Sequence, residues 1–338
     1  MIRFVSTFLA LVLPIPVFSG PAGGLRPDVI ADLAPHPASS KSYNEFWTYQ
    51  IQFTNGTQLQ LNFSRINFDG FKDPVCGSDL AVMGFKGRNY FVAREYPLKN
   101  FVFDPVKARL SVHENIFFQG KPPAEHRLFF STAKKNQTFL LDLNFTEMSA
   151  GAVWGDGIFN LRGGKAGLFF HIPKSKVRGR FAVNGDTLAV EGFAWLDHTY
   201  LTEFATKVMD VGYRYVLSAG RVEGGYFIQN KDGVSGYGIR EENDHLTLLH
   251  PSDLKSINPS SWGGYSMPKT LDFSFLNANP TQISRKEDRQ CISAFHELNW
   301  FEKKGAKFFL GGEIVGLRGL GQTQDSLPAL LSFTLIRH

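Results

Sequence analysis

A chain of 338 residues with 33 Gly, 32 Phe and only 2 Cys has room for two ordinary domains or one large β domain. A hydrophobic fraction of 43% argues against global disorder, and two cysteines exclude a disulfide-dense scaffold or a four-cysteine zinc site. The net charge of +5 comes from scattered residues, so no nucleic acid partner is expected. The phenylalanine content is the outlier, and so many large rings suit a β-rich interior or an apolar ligand cavity better than a helical bundle.

The chain opens on Met1, Ile2 and Arg3, then an apolar run from Phe4 to Phe18, then small residues. This is the three-part pattern of a secretory signal peptide, with Val17 and Ser19 placing cleavage before Gly20. The run is too short, and too broken by Pro14 and Pro16, for a spanning helix. The mature protein is therefore expected to be exported, to the periplasm or beyond. Residues 20–43, rich in Pro, Ala, Gly and Ser, read as a flexible lead-in.

From residue 46 the pattern becomes one of short alternating runs. Residues 46–53 and 59–63 flank Asn55-Gly56, a strong hairpin signal. The same grammar recurs around 86–89, 133–137 and 184–186. Further strands are expected at 213–219, 225–230, 234–240, 245–249, 270–276, 292–301, 307–317 and 330–336. Only 201–209 reads as a helical turn or two. Many short strands between polar turns indicate an all-β fold of two tandem barrels or sandwiches. The hairpin series pauses near 202–212, giving domains at 44–205 and 206–338.

Familiar catalytic and metal signatures are missing. There is no G-x-S-x-G elbow, and Gly163-Gly164-Lys165 lacks the Ser or Thr of a phosphate-binding loop. The nine His residues include no H-x-H pair, and Trp300 stands where His296-Glu297 would need a second His. No metal ligand set and no cofactor follow from these spacings. His296, Glu297 and Glu313 read as strand residues in cross-strand pairs. Cys76 and Cys291, in opposite halves, are a candidate disulfide in an oxidising compartment, with two free thiols the alternative.

The densest stretch runs from Gly167 to Tyr200. Pro173, Val177, Gly179, Gly185, Gly192, Trp195, Asp197 and His198 in it resemble the pattern of the hydroxyneurosporene synthase (carotenoid hydratase) and AttH-like family. The opening Asn44, Glu45, Phe46, Trp47, Thr48 and Tyr49 is similar to that family's aromatic first strand. The resemblance covers most of residues 44–200 and implies two lipocalin-like barrels packed in tandem. Its relatives include both catalysts and lipid-handling proteins, so the fold does not choose between them. Two departures stand out: no Trp accompanies His171 before the Pro, and Trp195 replaces a Tyr.

If residues 189–200 are a strand, Phe193, Trp195 and Asp197 share one face and His198 and Tyr200 the other. One of Asp197 and His198 is then expected inside a barrel and the other at the domain junction. The resemblance suggests Asp197 and His198 as candidate catalytic groups. An Asp beside Phe193 and Trp195 would be desolvated and would keep a proton for an alkene. The plainer alternative is a buried carboxyl satisfying its neighbours. Trp195, Phe193, Phe170, His171, Trp47 and Tyr49 are the candidate ligand-binding residues. Lys174, Lys176, Arg178 and Arg180 recur at period two, as a solvated outer strand face or a surface for anionic head groups. The function expected first is binding of a hydrophobic small molecule, a lipid or isoprenoid, in a Phe-rich cavity. A hydratase, isomerase or cyclase acting through Asp197 comes second, and an envelope interaction module third.

Overall fold

A computed structural model describes residues 21, 23–36, 40–243 and 245–338; the expected signal peptide lies outside the described residues. The chain is built almost wholly of antiparallel strands in two sheets, as the alternation requires. In the first sheet, neighbours along the ladder run Arg88–Pro97, Val75–Phe85, Gln58–Ile66, Asn44–Phe53, Asp186–Leu201, Gly164–Val183, Gln137–Thr146, His126–Lys134 and three short strands ending at Val102–Asp104. Its far ends curl toward each other. Lys134 Nζ donates to the Ala93 carbonyl at 2.9 Å, and the rings of Tyr96 and His113 stack at 5.1 Å. The result is a half-barrel closed by side chains.

The hairpins follow their turn chemistry. Asn184 and Gly185 both sit at positive φ, 54° and 84°, as a two-residue turn matched to strand twist needs. They join Gly164–Val183 to Asp186–Leu201, the longest ladder of the molecule. The basic residues at 174, 176, 178 and 180 all point to solvent, and Lys176 and Arg180 pair with Glu147 and Asp142.

Through residues 202–210 the chain passes to a second sheet of nine strands, from His245–Leu249 at one edge to Pro251–Trp262 at the other. The helices are short: α1 (Ile30–Leu33), α2 (Ala205–Val208) within the expected helical turn, and α3 (Trp300–Leu310). Residues 300–310 therefore differ from the strands expected at 292–301 and 307–317. Asn299 accepts hydrogen bonds from the N–H groups of Phe301 and Glu302, and Glu302 accepts one from the Asn299 N–H. This reciprocal cap, with Gly311 in the left-handed region at the other end, overrides the aromatic alternation. His296 and Glu297 lie in the turn before α3 rather than on a strand. Glu297 pairs with Lys134 and Lys135 of the first sheet. Glu313 is on a strand, where it pairs with Lys307 of α3.

The phenylalanines fill the sheets. Phe63, Phe118, Phe130, Phe145 and Phe181 pack with Trp47 and Tyr49 inside the first, and Phe227, Phe273 and Phe333 pack inside the second. A separate cluster joins the two sheets through Phe170, Trp195, Tyr237, Val216 and Ile239. Its polar hub is the buried Tyr237, whose hydroxyl donates to the Leu168 carbonyl at 2.7 Å and accepts from the Trp154 N–H at 3.2 Å. Tyr237→Phe strands both backbone groups, so denaturant unfolding should show a loss of about 1–3 kcal/mol.

The candidate disulfide is not formed. Both cysteines are free: Cys76 is buried with its thiol against the Pro97 carbonyl, whereas Cys291 lies beside Gly263 in the second sheet. A bridge needs Cβ atoms about 3.5–4.5 Å apart, and these thiols face different neighbours.

Candidate functional site

The strand Asp186–Leu201 alternates cleanly, and the candidate residues separate accordingly. His198 is paired opposite Trp47, and Leu196 opposite Tyr49, on the inner face of the half-barrel. Trp195 and Asp197 point the other way, into the junction with the second sheet. His171 shares the inner side with Phe169 by ordinary alternation, and the register shift beside it brings Ile172 inward as well, while Phe170 stays in the junction beside Trp195 at 5.3 Å. Of the candidates, the structure thus gathers His198, His171, Trp47 and Tyr49 inside, and Asp197, Trp195, Phe193 and Phe170 outside.

The junction group is tied down. Asp197 accepts from Arg214 at 2.9 Å and from the Trp195 indole at 3.1 Å. Burial pushes its carboxyl up, and Arg214 and Trp195 work against that shift. Arg214 in turn lies over the Tyr226 ring. Trp195 reaches the second sheet only because residue 224 is Gly: a Cβ there would stand 2.8 Å from the indole. These contacts occupy the carboxylate in holding the sheets together.

The inner group meets residues that spacing alone does not reveal. A strap from Leu25 to His36, inside the expected flexible lead-in, is ordered across the barrel end. Leu25–Pro27 pairs with Ala152–Trp154, and α1 presents the Leu33 carbonyl to the Trp47 indole at 3.0 Å. Asp28 bonds His171 Nδ1 at 2.8 Å. The His36 N–H donates to Glu45 Oε1 at 2.8 Å, and its ring lies 3.3 Å from the same oxygen. Around these groups stand Phe169, Tyr43, Tyr200 and Trp47, with the His198 ring stacked on Trp47 at 4.3 Å.

Proton counting makes this cluster unusual. His198 Nδ1 lies 2.9 Å from the Asp32 carbonyl and Nε2 lies 3.0 Å from Glu45 Oε1, so both ring nitrogens face oxygens. Burial works against the Glu45 charge, but His198 and His36 outweigh it and hold the carboxyl down at about 2. Burial also pulls His198 down, to about 4, against the pull of Glu45. A neutral ring has one N–H and would set a lone pair against one of the two oxygens. Both oxygens are satisfied only with a proton held between His198 Nε2 and Glu45, which the contacts favour and the burial opposes. Ligand atoms of His36, Glu45 and His198 lie within 4.8 Å of one another, so these are also the residues able to hold a cation.

Three buried polar atoms of the cluster, Asp28 Oδ1, Glu45 Oε2 and His171 Nε2, have no hydrogen-bond partner among the described residues. Deeper in the barrel, Tyr49 and His126 satisfy each other at 2.7 Å, and burial takes His126 down to about 4. Two open recesses, of about 560 and 580 Å³, lie elsewhere. Each is lined mostly by polar or small residues, with Phe139 in one and Phe53 in the other. The expected Phe-rich cavity is neither of these.

No protein-family model and no curated protein matches the chain. Solved structures do. An AttH candidate from Nitrosomonas europaea superposes with a TM-score of 0.59 at 17% identity, covering 90% of this chain and 95% of that one. Kievitone hydratase from Nectria haematococca gives 0.53 at 13%, covering 90% and 93%. CghA, solved with Sch210972, gives 0.55 at 9%, covering 88% and 89%. The fold is that of AttH and kievitone hydratase. At such identities the likeness is one of architecture, and the lipocalin-like pair of domains expected from residues 44–200 extends over the second half as well.

Glu45, His36, Asp28 and Tyr200 were not singled out by the sequence as site residues. Glu45 and His198 are 153 positions apart, and Asp28 and His171 are 143 apart. The only local signal is a charged residue inside an apolar alternating strand, Glu45 beside Phe46 and Trp47.

Proposed function

We propose that the chain is an exported lipocalin-like protein that binds an apolar small molecule, a lipid or isoprenoid, with the molecule's polar end at the Glu45–His198–His171 cluster. The observation that carries this reading is a set of three buried atoms inside an aromatic shell: Asp28 Oδ1 and His171 Nε2 without a hydrogen-bond partner among the described residues, and Glu45 Oε2 with only the Arg65 guanidinium at 3.8 Å. Buried polar atoms are almost always paired, and a ligand hydroxyl would donate to one of these acceptors. The rings of Trp47, Phe169 and Tyr200 supply apolar walls, and a few polar groups then fix orientation. The strap from Leu25 to His36 covers this end of the barrel, so a ligand enters by displacing it.

Native mass spectrometry of gently purified protein tests the proposal. The expected result is a bound apolar molecule in the wild type and at least roughly tenfold lower occupancy in Glu45→Gln/His171→Phe, the loss of one or two charged-group hydrogen bonds. A wild type that carries nothing and takes up no added fatty acid or isoprenoid alcohol overturns it.

A second reading, catalysis, is favoured by the shared proton. The pair would protonate one alkene carbon; water adds to the neighbouring carbon and returns a proton to the pair, for a net addition of one water. Likeness of fold to a protein named as a hydratase is consistent with that chemistry. This reading moves the acid from Asp197 to Glu45 and His198. Glu45→Gln would then abolish turnover while a bound molecule is retained.

A further inference from the structure

The helix α3 carries four large aromatics into solvent: Trp300 is 59% exposed, Phe301 78%, Phe308 84% and Phe309 55%. Only Ala306 of the helix is buried. At about 100° per residue, Phe301 and Phe308 project within roughly 20° of each other, with Lys304 and Trp300 beside them. The Lys304 ammonium sits over the Trp300 ring at 3.9 Å. Phe71, 52% exposed and carried by a loop of the first sheet, lies tilted against Phe309, ring centroids 4.2 Å apart, and continues the patch across the domain junction. Contiguous exposed rings of this kind mark an interaction surface.

The charge of the helix selects the partner. Lys303, Lys304 and Lys307 accompany a single acid, Glu302, which is spent on the N-terminal cap. Lys307 is engaged by Glu313, which leaves Lys303 and Lys304 without an ion-pair partner among the described residues. A helix of eleven residues is marginal in water without packing. This one is nonetheless capped at both ends, by Asn299 with Glu302 and by Gly311, so it is held ready without burying its apolar side. Aromatic rings flanked by lysines on a short amphipathic helix suit the boundary between head groups and acyl chains.

We propose that α3, with Phe71, docks the protein on an anionic lipid bilayer, its rings entering the interface and Lys303 and Lys304 meeting acidic head groups. This surface is distinct from the basic strand face at residues 174–180, where Lys176 and Arg180 form surface pairs. It is also independent of the small-molecule reading.

Trp300 is the reporter: Trp47, Trp154, Trp195 and Trp262 are all buried. Mixing the full chain with vesicles of phosphatidylcholine containing phosphatidylglycerol should blue-shift its emission and float the protein with the lipid. Pure phosphatidylcholine should do so far less, and added salt should weaken the effect. Phe301→Ser/Phe308→Ser should lower vesicle affinity by roughly a hundredfold, each ring's burial being worth about one decade. Lys303→Glu/Lys304→Glu should abolish the preference for anionic vesicles. Either variant should keep any co-purified small molecule, which separates failure here from failure of the binding reading. Unchanged Trp300 emission with anionic vesicles overturns the proposal. So does a wild-type dimer in sedimentation equilibrium that Phe301→Ser/Phe308→Ser converts to monomer, which would assign the face to a second copy of the chain.

Discussion

Asp197→Ala should destabilise the protein by about 3–5 kcal/mol, because it leaves the buried Arg214 guanidinium at the domain junction without its counter-charge. The cost comes from the stranded partner more than from the lost contact, and a second variant shows this. Asp197→Leu/Arg214→Met removes both charges and should recover most of the loss, since a buried pair replaced by apolar groups is often neutral. Denaturant midpoints of the three proteins measure the cycle. If Asp197→Asn keeps full stability and abolishes a measurable turnover, the carboxyl is a proton donor and the tie is secondary.

Glu223→Ala should be equally costly, about 3–5 kcal/mol, and its effect should be confined to the second sheet. The Glu223 carboxylate is wholly buried and accepts from Arg240 at 2.8 Å, Arg221 at 2.7 Å, Tyr215 at 2.9 Å and Thr281 at 2.7 Å. Its removal leaves Arg240, itself buried, facing no carboxylate in the core. Burial opposes the charge, yet the bonds from Arg240 and Thr281 win and lower the carboxyl. The sign for stability follows. A group lowered on folding contributes above its unfolded value, about 4.3, and loses that contribution as pH falls through the lowered folded value. The wild type should therefore lose stability below about pH 4, and Glu223→Gln should flatten that decline. A Glu223→Ala protein within about 1 kcal/mol of wild type would show that the network is not load sharing in this way.

Much of the fold is legible because its signals are local. Asn55-Gly56 and Asn184-Gly185 fix two hairpins by turn geometry, and strict alternation over residues 193–200 sends Asp197 and His198 to opposite faces, leaving only which of them faces inward to the structure. The helix α3 escapes because phenylalanines and tryptophan suit strands as well as exposed faces. Its true signal, Asn299 and Glu302 with Gly311, is polar and lies at its ends. The candidate site is half legible. His198, His171 and Trp47 belong to the strands that carry the family resemblance. Glu45 and Asp28 acquire meaning through contacts 153 and 143 residues away, beyond the reach of any spacing rule, and His36 through Glu45, nine positions on. The strap escapes for the same reason: its Pro- and Ala-rich composition is that of a loose segment, while the carbonyls of Asp32 and Leu33 are claimed by His198 and Trp47.

That strap also sets an order of events. Asp28 and Asp32 leave the ribosome well before His171 and His198, yet each is bound to one of those residues, 143 and 166 positions later. The ladder of Asn44–Phe53 with Asp186–Leu201 closes loops as long, so once it has formed, the strap, which ends just before Asn44, closes only a short further loop and is expected to dock after it. The cluster around Glu45 is in consequence among the late parts of the first domain to mature. Until then the open end of the half-barrel stands uncovered, and its aromatic rings are accessible to whatever apolar molecule the chain meets as it folds.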